Sequence, residues 1–173
     1  MKVQIRYLGD PILRKKAVEV KVFDNRLQEL IDLMYEYMYK YDGVGLAAPQ
    51  VGLNERFFVI DDGQTKRTVI NPHILEYLGE DVEYEEGCLS IPKLYAAVMR
   101  PEGIKVKYQD VLGNAVEEEL HEYTARIFQH EFDHLEGVLF IDKLTVVQRA
   151  KIKSELSQII KETKKSLKQL SEE

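Results

Sequence analysis

The sequence predicts an α+β fold, with antiparallel or mixed β-sheets packed around one central helix and a long helix at the C-terminal end. Three observations predict it. Short segments rich in β-branched and aromatic residues, separated by turn chemistry, cluster between residues 56 and 121. A helix-length stretch follows over about 123 to 136, and a third amphipathic stretch runs from about 145 to 170. At 173 residues the chain fits one domain spanning 1–173, with 145–173 as its terminal helix.

Asp10-Pro11 opens a short helix or turn near residues 11 to 16. Asp24 is an N-cap for a helix over about 25 to 41, with Leu27, Leu30, Ile31, Met34 and Met38 on one face. Arg56 to Asp61 and Arg67 to Asn71 read as strands, with Asp62-Gly63 turning between them. Leu94 to Arg100, Gly103 to Asp110 and Ala115 to His121 read as three further strands. Leu112-Gly113-Asn114 joins the last two. The alternation in Ile104-Lys105-Val106-Lys107-Tyr108 is a half-buried strand pattern. The helix over 123 to 136 ends at Gly137, a good left-handed terminator. The last helix carries a stripe of Val146, Ala150, Ile152, Leu156, Ile159, Ile160, Leu167 and Leu170, interleaved with lysines.

Composition excludes several classes. Hydrophobic content of 45% and charged content of 31% fit a globular chain, and a net charge of −6 argues against a general nucleic-acid surface. No run of about eighteen apolar residues suggests a membrane span. Met1 to Arg6 lacks an apolar signal core. One cysteine, Cys88, cannot form an internal disulfide, which fits a reducing, cytoplasmic setting.

The chemistry gathers in Gln129-His130-Glu131-Phe132-Asp133-His134. On a helix His130 and His134 lie one turn apart on one face, where two imidazoles can grip one divalent metal. This makes the central helix the metal-binding helix, with Glu131 beside the ion as a base for water. Cys88, in Glu86-Gly87-Cys88-Leu89-Ser90, is either a small buried hydrophobe or a thiolate third ligand. Three ligands would leave a fourth position open, the pattern of a catalytic site. Gly43-Val44-Gly45-Leu46-Ala47-Ala48-Pro49-Gln50 is either a helix-to-strand connection or a small-residue segment approaching something closely. It lacks the Lys-Ser/Thr of a phosphate loop, and Gln50 offers an amide donor.

These three segments, in this order and spacing, resemble peptide deformylase over roughly residues 2 to 145. The departures are soft: Val44 stands where larger aliphatics are common, and Tyr95 where some members carry Arg. The resemblance implies that Cys88, His130 and His134 hold one divalent metal. Fe²⁺ is expected in the cell, and Zn²⁺, Ni²⁺ or Co²⁺ in a purified sample. It implies removal of the N-formyl group from formyl-methionyl nascent peptides, releasing formate. Glu131 would act as base and then acid, while the Gln50 amide and the Leu89 backbone N–H stabilise the developing oxyanion. The methionine side chain would enter a pocket built from Val44, Gly45, Tyr95, Tyr123, the alkyl stem of Arg126, and Ile127. It also implies that the C-terminal helix could meet the ribosome through Lys161, Lys164, Lys165 and Lys168.

Two rival classes share parts of this pattern. A zinc peptidase also uses His-Glu-x-x-His, but its usual third ligand is a downstream Glu or His. The chain after His134 offers Glu136, on another side of the helix, and no further histidine. A purely structural metal protein needs neither Glu131 nor Gln50. His73 and His121 read as surface or strand-end residues, and Ser90 as a local backbone hydrogen-bonder. Asp133 reads as half of an ion pair, with Arg100 a candidate partner.

Overall fold

A computed structural model describes residues 3–172; Met1 and Lys2, part of the start read above, and Glu173 lie outside them. Asp10 caps a 3₁₀ turn over Pro11–Arg14, accepting from the Ile12 N–H at 3.1 Å. Helix α1 spans Asn25–Lys40, and the Asp24 side chain accepts from the Leu27 N–H at 3.1 Å. Its buried residues are Leu27, Leu30, Ile31, Met34 and Met38, the face that the 3.6-residue period marks. They pack on Phe57, Val59 and Ile70 of the sheet.

Five strands form one antiparallel sheet in sequence order: β1 (Gly45–Ala47), β2 (Phe57–Asp61), β3 (Lys66–Cys88), β4 (Ile91–Gln109) and β5 (Ala115–His121). The α+β class is borne out. The bounds of β5 match the expected strand and those of β2 differ by one residue, but the bounds of β3 and β4 differ widely. The expected strand over 67–71 continues to Cys88, and the expected strands over 94–100 and 103–110 are one strand running through Pro101. The cause is pairing rather than propensity. Residues 75–85 are mostly exposed and their apolar alternation is broken at Leu78-Gly79-Glu80-Asp81, yet Asp81, Glu83 and Glu85 pair across to Pro101, Met99 and Ala97. Pro101 sits opposite Asp81, next to a register shift between Leu78 and Asp81, where its missing N–H is tolerated. A straight 23-residue strand would span about 75 Å. Four register shifts bend β3 and β4 instead, and the last, between Gly87 and Cys88, turns the cysteine toward the molecule's centre.

Helix α2 spans Glu122–Leu135 and is buried on most of its surface, including Ala125 to Gln129, Glu131, His134 and Leu135. Its apolar residues meet Phe58, Ile60, Val69, Ile104 and Val106 of the sheet. It ends as expected. Gly137 has φ +74°, and the Val138 N–H reaches back to the Asp133 carbonyl at 2.9 Å. A Cβ at Gly137 would lie 2.6 Å from the Arg14 carbonyl oxygen, so close packing adds to the conformational need for glycine.

Helix α3 spans Val146–Ser171, and Thr145 caps it by accepting from the Gln148 N–H at 3.2 Å. Only the middle of its stripe packs. Ile152, Leu156, Ile159 and Ile160 join Leu8, Leu13, Ile91, Val98 and Phe140 in a third apolar cluster. Val146 is 87% exposed and Leu170 58% exposed, so the ends of the expected stripe face outward. Gly9 lets α3 approach the N-terminal segment: a Cβ there would lie 3.2 Å from the Ile160 Cα. Among the described residues no helix is long and apolar enough to cross a membrane.

Candidate metal centre

Because α2 places residues four apart on one face, the rings of His130 and His134 stand edge to face, 5.2 Å between centroids. The register shift at the end of β3 delivers Cys88 to the same place, its Sγ 3.4 Å from His134 Nε2. One donor atom from each of Cys88, His130 and His134 lies within 4.8 Å of the others. A thiol and two imidazoles suit a soft or borderline divalent ion. Beside them, Glu131 Oε2 is buried with no hydrogen-bond partner among the described residues. The donor set and the orphaned carboxylate oxygen therefore fit a catalytic metal.

Electrostatics prepare the ligands differently. Burial, reinforced by the neighbouring His130 charge, drives the His134 pKa well below its ordinary value and keeps the ring neutral. Burial also pulls His130 down, but hydrogen bonds to Cys88 and Glu86 outweigh it and raise the ring to about 10. An ion would displace that proton, so metal binding releases one. Burial pushes Glu131 up to about 7, only partly offset by His130.

Glu86 organises the surroundings. Its oxygens accept from His130 Nδ1 at 2.8 Å, Arg100 Nε at 2.7 Å and Arg126 Nη1 at 2.8 Å. Burial acts to raise the Glu86 carboxyl, but the hydrogen bonds from His130 and Arg100 win and hold it far below the usual carboxylate range. Arg100 in turn donates to Asp133 at 2.7 Å, the ion pair that the sequence suggested. The sequence reading passed over Glu86. Its signal was available: a ligand histidine needs a partner for its other nitrogen, and a carboxylate lies two residues before the cysteine.

Gln50 is 1% exposed, in the 3₁₀ turn Ala48–Val51 that follows β1. Its Oε1 accepts from the Ala47 N–H at 2.9 Å, which fixes the amide orientation. Its Nε2 then donates toward Cys88 Sγ at 3.4 Å and Ser90 Oγ at 3.3 Å. Ser90 corrects an expectation: its hydroxyl receives the Gln50 amide rather than a local backbone group, and it is fully buried.

Cys88, His130, Glu131 and Gln50 line a cavity of about 420 Å³, with His134 behind them. Val44, Gly45, Tyr95, Tyr123, Arg126 and Ile127 all line it, as does Leu89. Arg126 is anchored at its far end. Its guanidinium is tied to Glu86, to the Val98 carbonyl at 2.9 Å and to the Val82 carbonyl at 2.6 Å, and lies over the Tyr84 ring. Tyr41, Asp42 and Tyr84 also line the cavity, and no motif marked them. His73 is exposed on β3, while His121 hydrogen-bonds Glu102 and Glu119 at the surface.

The family profile described as polypeptide deformylase matches residues 2–150. The chain belongs to this family. Peptide deformylase of Thermotoga maritima is 52% identical over 162 residues, covering 94% of this chain and 99% of that protein. A crystal structure of the Thermotoga maritima deformylase overlays with a TM-score of 0.82 at 55% identity, covering 84% of this chain and 99% of that one. The Plasmodium falciparum deformylase overlays with a TM-score of 0.90 at 38% identity, covering 93% and 97%. Deformylases are hydrolases that remove the N-formyl group from nascent peptides, and the family is a metalloenzyme family. The Cys88, His130 and His134 group is consistent with that chemistry.

Proposed function

We propose that Cys88, His130 and His134 hold one divalent metal, Fe²⁺ in the cell, and that Glu131, Gln50 and Leu89 carry deformylation around it. The convergence of the three donors beside the partnerless Glu131 oxygen, at the cavity, supports this reading. A metal held there supplies a Lewis acid that lowers the pKa of water from about 15.7 towards 7. Glu131 accepts the proton as water adds to the formyl carbon, then returns it to the departing amine. Its burial-raised pKa suits a group that must both take and give a proton near neutrality. Gln50 Nε2, oriented by the Ala47 N–H, and the Leu89 backbone N–H stabilise the formyl oxygen as charge develops on it. Losing one such donor costs on the order of 3 kcal/mol of barrier.

The methionine side chain enters the cavity against Val44, Ile127 and the tyrosines at its mouth. Three further readings belong to this proposal: a single catalytic domain, a cytoplasmic location, and contact with the ribosome through the lysines of α3. The deciding experiment is formate release from formyl-Met-Ala-Ser under anaerobic conditions with added Fe²⁺. Release from this peptide, with no cleavage of the same peptide lacking its formyl group, is expected. Hydrolysis of the unformylated peptide would favour a peptidase.

A further inference from the structure

Gly45 lines the cavity and belongs to β1, at the edge of the sheet. Its φ lies outside the left-handed region, so the backbone there would accept any L-residue. Something other than conformation must account for the missing side chain. A Cβ built on Gly45 would meet Glu131 Cγ at 2.8 Å, Cδ at 3.0 Å and Oε2 at 3.1 Å. All three atoms belong to one side chain. Glu131 is 2% exposed, on a helix buried on most of its surface, so it has little room to yield.

We infer that Gly45 is a positioning residue for Glu131. Its bare Cα forms one wall of the niche that holds the carboxylate facing Cys88, His130 and His134. The inference rests on the proposed role of Glu131 as the proton-transferring group, and it assigns Gly45 a task besides lining the substrate cavity. The neighbouring glycine differs. A Cβ on Gly43 would meet Leu89 Cδ1 at 3.1 Å, the far end of a flexible side chain that can move aside.

The test is a double-mutant cycle on the metal-loaded protein, with Gly45→Ala made alone and in a Glu131→Ala background. Metal content, melting temperature, kcat and KM for formyl-Met-Ala-Ser are measured. Alone, Gly45→Ala should keep its metal, lower kcat at least about tenfold and change KM less than about threefold, since displacement of a proton-transferring group acts on the chemical step. It should also lower the melting temperature by about 2–12 °C, the usual scale of one overpacked methyl in a chain of this size. With Glu131→Ala present, the side chain that the methyl strikes is gone and the thermal loss should vanish. An equal thermal loss in both backgrounds would overturn the inference, as would a kcat within twofold of the parent. If Gly45→Ala fails to fold, the double variant must fold; failure of both places the clash elsewhere and overturns it too. A parent protein that releases no formate would instead remove the proposed function, leaving the thermal cycle to judge the contact by itself.

Discussion

Glu86 receives one imidazole and two guanidinium groups, so a single carboxylate fixes a candidate ligand ring and is shared by two buried cations, one of which, Arg100, also pairs with Asp133. Glu86→Gln keeps the shape but removes the charge, and its amide nitrogen would face donors. Breaking a buried ion pair on one side typically costs about 3–5 kcal/mol, and loss of a ligand's outer partner weakens metal binding about 10–100-fold. A lowered melting temperature and a weaker metal titration are expected; if neither moved, Glu86 would have no orienting role. The ligands and the base should separate cleanly. Cys88→Ser should strip or greatly weaken metal binding, and full metal content with full activity would remove Cys88 from the ligand set. Glu131→Ala should retain metal yet lose most formate release, because the three donors stay while the proton carrier goes. Substantial turnover by the metal-loaded variant would point to another base.

At the scale of elements, legibility tracked locality. The buried face of α1, the bounds of β5 and the end of α2 at Gly137 follow from periodicity, capping and turn chemistry within a few residues. Metal-ligand spacing was local for His130 and His134. Cys88 was not: its place depends on a register shift in β3. The β4 half of the long arm was largely legible, but residues 75–85 of β3 were not, because their mostly exposed side chains are held there by partners in another segment of the chain. The partners of the Arg126 guanidinium were beyond the sequence for the same reason, since the carbonyls it binds, Val82 and Val98, lie on that arm. One tie between elements has a pH signature. Asp62, in the β2–β3 turn, accepts from the Thr65 and Gln64 N–H groups and from the Thr124 hydroxyl on α2, and pairs with Arg67. These bonds, that of Thr65 foremost, hold its pKa down to about 2. The folded pKa lies below the unfolded value of about 3.9, so its stabilisation is present above that value and is lost as pH falls through about 2. Asp62→Asn should therefore melt below the parent at pH 7, and the gap should close between about pH 4 and 2. A gap that held constant across that window would show that the charge of Asp62 does not matter.

For the whole molecule, charge and packing divide along α3. The helix carries seven Lys and Arg against two Glu, a net +5, which leaves −11 on the rest of a chain whose formal charge is −6. Its close approach to the N-terminal segment is at Ile160 and Thr163, whose Cβ would lie 3.3 Å from a Cβ placed on Gly9, and past it only Leu167 is half-buried. Beyond it Lys164, Lys165 and Lys168 are exposed. Cutting after Lys151 removes Ile152, Leu156, Ile159 and Ile160 from the cluster around Leu8, Leu13 and Ile91. Each well-buried aliphatic side chain contributes about 1.5–3 kcal/mol, less where it is half-exposed, so this cut should lower the melting temperature by many degrees. Cutting after Thr163 keeps those contacts and removes three cations. It should leave the melting temperature and hydrolysis of a free formyl-tripeptide nearly unchanged. Ribosome binding should weaken and its logarithmic salt dependence become shallower by about two to three, because fewer phosphate charges are neutralised. Unchanged affinity and salt slope after that cut would confine α3 to packing, and a large loss of stability would extend the packed part past Thr163.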